Sequence, residues 1–236
     1  MKYIDLDAGQ RDADDAEDAE VSLDKIKQQL AAALEELKAL PENAHPLQRA
    51  ELQVKIAGTL VDLHRGEEAF QIAREAFDAC IANEYWEEAV KACNAMFLAD
   101  QPESLPALGQ GVWLAVTFPV DPELSVMMLN HIVDETPNDS DGAAVAAIVA
   151  GYIVDIRAEE GRQKDDLKFY VNNLIASVAR RHSDVESQEQ FDYWIEKLEL
   201  NDPAKFLPRL RNVVDVLVQE DWWLDRDAIW AKLPDQ

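Results

Sequence analysis

The sequence predicts an all-α fold of stacked antiparallel helical hairpins, about ten helices behind an acidic N-terminal leader. From Ser22 onward apolar residues recur at intervals of three and four nearly everywhere, the period of one buried helix face. Only eight glycines are present, too few for a turn-dense all-β architecture. Two to six residues separate the helical stretches, the spacing of helices that fold back on their neighbours.

Residues 1–20 form the leader, in which eight acids face only Lys2 and Arg11. Like charges at this density resist packing, so disorder is expected from Ala8 to Glu20. Tyr3, Ile4 and Leu6 are apolar enough for Met1–Leu6 to dock on the folded part. Residues 21–236 are expected to be a single α-helical domain. Leu23, Ile26, Leu30, Leu34 and Leu37 stripe its first helix, which Pro41 ends. Leu47–His64 is the second. Phe70, Ala73, Phe77 and Cys80 stripe a third, from about Glu67 to Ala82. Trp86, Ala89, Val90, Cys93 and Phe97 stripe a fourth, capped by Asn83 and stopped before Pro102. Ser104–Phe118 is the fifth, although its continuously apolar part, Val112–Phe118, is also compatible with a strand.

Asp121-Pro122 reads as an N-cap followed by proline at the first helical position, and Leu124, Met127, Met128 and Ile132 follow as the apolar face up to Pro137. Asp139–Glu159 is an alanine-rich helix. Leu167, Tyr170, Val171, Leu174 and Val178 stripe the next. Ser187 and Gln190 form a capping box before Phe191, Trp194, Ile195 and Leu198. Asp202-Pro203 repeats the cap-plus-proline signal before Phe206, Leu207, Leu210, Val213, Val214 and Leu217, and a short last turn runs from Asp225 to Leu233.

The formal charge of −25 disfavours direct contact with nucleic-acid phosphates or an anionic membrane surface. The N-terminus has no apolar signal segment, and the longest apolar-rich run, Ala143–Ile156, is too short to span a bilayer. Cys80 and Cys93, the only cysteines, are expected to be reduced, buried thiols of a cytoplasmic protein.

One internal echo stands out. Ala57-Gly58-Thr59-Leu60-Val61-Asp62-Leu63 matches Ala150-Gly151-Tyr152-Ile153-Val154-Asp155-Ile156, 93 residues on. Glu67-Glu68-Ala69 recurs as Glu87-Glu88-Ala89. A glycine inside a helix costs about 1 kcal/mol against alanine, so it needs a packing reason. Ala57 and Gly58 opposite Ala69, Ala73 and Ala76 are expected to form a notch where two helix backbones approach. On these residues the chain resembles the tetratricopeptide-repeat family, best over 54–82 and 147–178 and more loosely over 103–137, about half of the chain. It departs from that pattern where Val54 or Ala147 stands for the usual first-helix aromatic, where the step from Gly58 to Ala69 is about one residue short, and where no proline follows Ile81. The resemblance implies a stacked α-α superhelix whose concave side holds a peptide or protein.

The sequence offers no catalytic signature: P-loop, G-x-G-x-x-G, G-x-S-x-G and H-E-x-x-H are all missing. His64 precedes Glu67 and Glu68, and His131 precedes Asp134 and Glu135, spacings that read as ion pairs at helix ends. The one Glu-x-x-His, Glu42 to His45, lies between Pro41 and Pro46 and suits no helical metal site. Pro137–Gly142 imitates an EF-hand loop, but Pro137 and Ile148 stand where its anchoring acids belong. No metal or cofactor is therefore expected.

Two features point to a partner. No Lys or Arg lies between Lys91 and Arg157, and a single-sign stretch would steer a basic partner through Asp121, Glu123, Asp134 and Glu135. Trp222, Trp223 and Trp230 crowd the C-terminus, where aromatic anchors of a protein interface, including a homodimer, are expected. The expected function is a non-enzymatic interaction scaffold, adaptor or chaperone-like protein that binds a basic peptide or protein. The alternatives are an acidic nucleic-acid mimic that inhibits a DNA-binding protein, and a small-ligand or enzymatic helical protein with a pocket of Trp113, Met127, Met128 and Tyr152.

Overall fold

The computed structural model describes residues 2–4 and 16–232, with the side chains of 16–22 excepted. Eleven helices and no strand occur among the described residues: α1 Ala16–Ala39, α2 Pro46–Asp62, α3 Gly66–Ala82, α4 Trp86–Leu98, α5 Ser104–Thr117, α6 Pro122–Glu135, α7 Asp141–Arg157, α8 Arg162–Ser183, α9 Gln188–Lys197, α10 Pro203–Val218 and α11 Arg226–Trp230. The expected all-α class and element order hold. Several boundaries differ: Asn83, expected to cap α4, instead closes α3 and donates its side-chain amide to Ala79 O, while α4 starts after Tyr85. Ala16–Glu20, expected to be disordered, belong to α1, while the rest of that expected stretch, residues 8–15, lies outside the described residues. The apolar run Val112–Phe118 is helical to Thr117, with Phe118 extended.

The reason for the apolar run is position. α5 is flanked by α4, α6 and α10, and α7 by α6, α8 and α10. A helix surrounded on all sides is apolar all round, and Ala107–Ala115 of α5 are all buried. α2, α4, α6 and α8 are successive neighbours in one layer. α3, α5 and α7 pack behind them, each against the helix before and the helix after it, and α10 closes over α5 and α7. One core runs from Ala50 to Ile229, and a smaller cluster (Leu30, Ala33, Leu52, Ile56, Leu60, Ala69, Ala99) seats α1.

The two copies of the 93-residue echo do not occupy equivalent places. One lies on α2 and the other on α7, an odd number of helices apart, so they fall in opposite layers. Nor do their glycines make the expected notch. A Cβ built on Gly58 meets nothing within 4 Å, and one on Gly151 meets only Ile175 Cδ1 at 3.4 Å. The tight approaches use other glycines. A Cβ on Gly109 would lie 2.6 Å from Val218 of α10, and one on Gly111 would lie 2.7 Å from Cys93 Cβ on α4.

Helix ends follow a repeated device that glycine counting does not reveal. His64, Glu84 and Glu199 take left-handed φ of 56°, 60° and 53° after α2, α3 and α9. In each case the next amide donates back five residues, from Arg65 to Leu60, from Tyr85 to Cys80 and from Leu200 to Ile195. Arginines satisfy other carbonyl ends: Arg157 donates to the oxygens of Ala115 and Val116, and Arg181 to that of Val133.

Candidate functional site

The layer that contains α2, α4 and α6 carries a groove that holds a piece of the chain itself. Lys2–Ile4 lie along it without helical structure. Val54, Gly58, Val61 and Asp62 of α2 form one wall, Lys91, Asn94, Ala95 and Leu98 of α4 the floor, and Leu124 and Met127 of α6 the other wall. Beside the Tyr3 ring a cavity of about 300 Å³ is left between these residues. Gly58 helps to open it, because a side chain there would stand in free space.

Glu123 secures the segment. Its side chain is completely buried in the first turn of α6, and its Oε1 accepts the backbone N–H of Tyr3 and, at 2.9 Å, that of Ile4. Burial works to raise the Glu123 carboxyl, but the backbone donors of residues 2–4 outweigh it and hold the group below its ordinary value. Asp121 sets up this turn as the N-cap of α6, accepting from Glu123 N at 2.8 Å and Leu124 N at 3.3 Å. The expected docking of Tyr3 and Ile4 is therefore seen, with both packed against the main core.

Polar groups line the floor. Burial disfavours the charge on Lys91, yet its bonds to Glu88 and Glu87, the latter at 3.0 Å, raise it above its ordinary value and keep it cationic. Asn94 Oδ1 lies 2.9 Å from Nε2 of His131, whose ring packs 4.6 Å from that of Phe97. Burial pushes His131 down to about 4, so the ring is neutral at physiological pH and donates from Nε2 to Asn94. His131 thus serves Asn94 rather than the carboxylates of Asp134 and Glu135. Sequence reading missed Lys91, Asn94 and Gly58 as one surface; the available signal was the α4 stripe Lys91, Asn94, Ala95, Leu98, in which polar and small residues replace a continuous apolar face.

The acidic window is dispersed in space. Glu123 is buried and Asp121 is a cap. Asp141 bonds Arg209 at 3.0 Å and His182 at 3.1 Å, and Asp155 bonds Lys168 at 3.0 Å, so basic residues of α8 and α10 fold back onto it. Asp134 and Glu135 remain exposed at the end of α6, where Asn130 donates to Asp134 at 2.8 Å.

The C-terminal tryptophans are largely satisfied within the chain. Buried Gln110 of α5 accepts the Trp223 backbone N–H at 2.9 Å, and Arg74 lies 4.1 Å over the Trp223 ring. Trp222 lies 6.1 Å from Trp113, with Arg226 over its face at 3.8 Å. Trp230 alone among the three stays open, 52% exposed, at the rim of a cleft with Trp113, Val116, Leu207, Leu210 and Val214. The expected apolar pocket does not assemble: Met128 is core, Met127 faces the groove, Trp113 joins the tryptophans, and Tyr152 lines a separate cavity of about 410 Å³ with Asp155, Lys168 and Phe206.

Cys80 and Cys93 are free and buried, and burial pushes the Cys80 thiol up to about 12 and that of Cys93 further. Among the described residues no three His, Cys, Asp or Glu side chains converge to hold a metal, and no helix is long and apolar enough to cross a membrane. No protein-family model matches the chain, and no curated protein or solved structure matches it either.

The segment's hold depends on acid. The docked Glu123 carboxyl sits below its ordinary value of about 4.3, so its contribution is full above that value and is lost as pH falls through the lower docked one. The Tyr3 and Ile4 amide resonances are expected to move toward free-peptide positions in that range. In Glu123→Gln they should show no such titration.

Proposed function

We propose that this protein is a non-enzymatic interaction scaffold, adaptor- or chaperone-like, whose α2/α4/α6 groove holds a short non-helical segment of a partner. The observation that carries this reading is the seating of Lys2–Ile4, a segment bent at Tyr3 and held by main-chain bonds to a buried carboxylate with an aromatic side chain in the groove. Main-chain bonds supply affinity and side-chain pockets supply selectivity in this mode of recognition. A basic partner suits it best, because Asp62 lies at the groove and Asp134 and Glu135 lie exposed at the far end of α6.

Affinity purification of the full chain, compared with Asp134→Lys/Glu135→Lys, tests the steering. A basic partner is expected to associate several-fold more slowly with the variant at low salt, and the difference should shrink as salt screens it. Identical association at all salt concentrations would remove these two acids from the reading.

A further inference from the structure

Resting on that reading, we infer that residues 2–4 are a built-in stand-in for the ligand. The groove then selects a segment bent in the same way, with an aromatic residue at the Tyr3 position, a second apolar residue beside it and a nearby Lys or Arg, and this segment must displace Lys2–Ile4 to bind.

Each element of that chemistry comes from a different part of the site. Glu123 Oε1 receives two successive backbone N–H groups, which only a bent backbone turns to the same side, and proline at either position removes one of them. The Tyr3 ring lies against the walls, but it leaves the neighbouring cavity of about 300 Å³ unfilled. Val54, Val61, Leu98 and Met127 make that cavity predominantly apolar, so a ligand with one more apolar side chain buries surface that Lys2–Ile4 do not. Among the charged groups of the lining, Lys91 is already bonded to Glu87 and Glu88, whereas Asp62 is an exposed carboxylate. A cationic ligand group therefore finds its complement at Asp62.

Occupation in cis has a measurable consequence. A tethered segment competes at an effective concentration of the order of millimolar, and a ligand's apparent affinity falls by the fraction of chains whose groove is open. The test uses a dye-labelled synthetic peptide with the sequence Met-Lys-Tyr-Ile-Asp-Leu and the full-length chain, followed by fluorescence polarisation. The peptide is expected to bind Tyr3→Ala/Ile4→Ala at least about tenfold more tightly than the unmodified chain. Proline in place of Tyr or Ile in the peptide should abolish binding. Gly58→Leu, whose side chain enters open space and so leaves the fold intact, should block the groove in the Tyr3→Ala/Ile4→Ala background.

Equal binding to both chains, no binding to either, or indifference to Gly58→Leu overturns the inference. The broader reading fails separately. If the peptide binds neither chain but a purified partner is lost on Gly58→Leu, the groove remains the scaffold's site and only the stand-in role falls. If partners are retained on Gly58→Leu, the groove itself is not the site.

Discussion

Phe77→Ala is expected to lower the unfolding free energy by about 3–5 kcal/mol, which in a chain of this size corresponds to a melting temperature lower by roughly 10 °C. The ring is completely buried in α3. It meets Trp223 edge to face with centroids 5.8 Å apart, and the Arg74 guanidinium lies 6.0 Å from its centroid. The loss therefore has two parts. One is the cavity left in a core that α3 shares with α2 and α4; the other is the perch of the C-terminal segment, since Trp223 also packs on Phe70 at 6.2 Å. The second part predicts a specific signature. Tryptophan fluorescence near Trp223 should report release of residues 221–230 at lower denaturant than the loss of helical circular dichroism. Phe169→Ala is the control, because that ring is 67% exposed and its removal should change stability by no more than about 0.5 kcal/mol. Equal effects at the two positions would contradict the packing of α3 against the C-terminal segment.

The fold was legible because helix signals are local. The caps Asp121, Ser187 and Asp202 all form as expected, the second with its complete capping box, and each depends only on residues within one turn. The site was only partly legible, because it is made by residues far apart in the chain. Glu123 read as one more surface acid, since nothing within a turn of it shows that Tyr3 and Ile4 will close over its carboxylate. The window without Lys or Arg is real along the chain and broken in space, where Arg209, Lys168 and His182 arrive from α8 and α10. Trp222 and Trp223 looked like anchors for another chain because their own partners, Gln110, Arg74 and Trp113, lie more than a hundred residues away. Gly58 is unusual inside a helix, but the reason is not the close approach of backbones that small-residue packing suggests.

That difference sets the sign of a second measurement. Gly66→Ala is expected to destabilise the protein by about 3 kcal/mol, at the upper end of the usual cost of overpacking. A Cβ on Gly66 would lie 2.1 Å from the carbonyl oxygen of Ala99, where α4 ends against the start of α3. A backbone oxygen cannot rotate aside, so one of the two helix ends must shift. Gly111→Ala should fall lower in the series, because the Met128 methyl at 2.5 Å can swing away although Cys93 Cβ at 2.7 Å cannot. Gly58→Ala should instead stabilise by about 0.5–1 kcal/mol, since it removes helix-interior glycine entropy and meets nothing within 4 Å. Urea midpoints at constant m-value read the order directly. If Gly58→Ala destabilised as much as Gly66→Ala, the wall of the groove would be a packed interface and no partner segment would have room beside it. If it stabilises, glycine at 58 costs the fold stability that no helix contact returns, and the space it leaves open is room that Lys2–Ile4 do not fill.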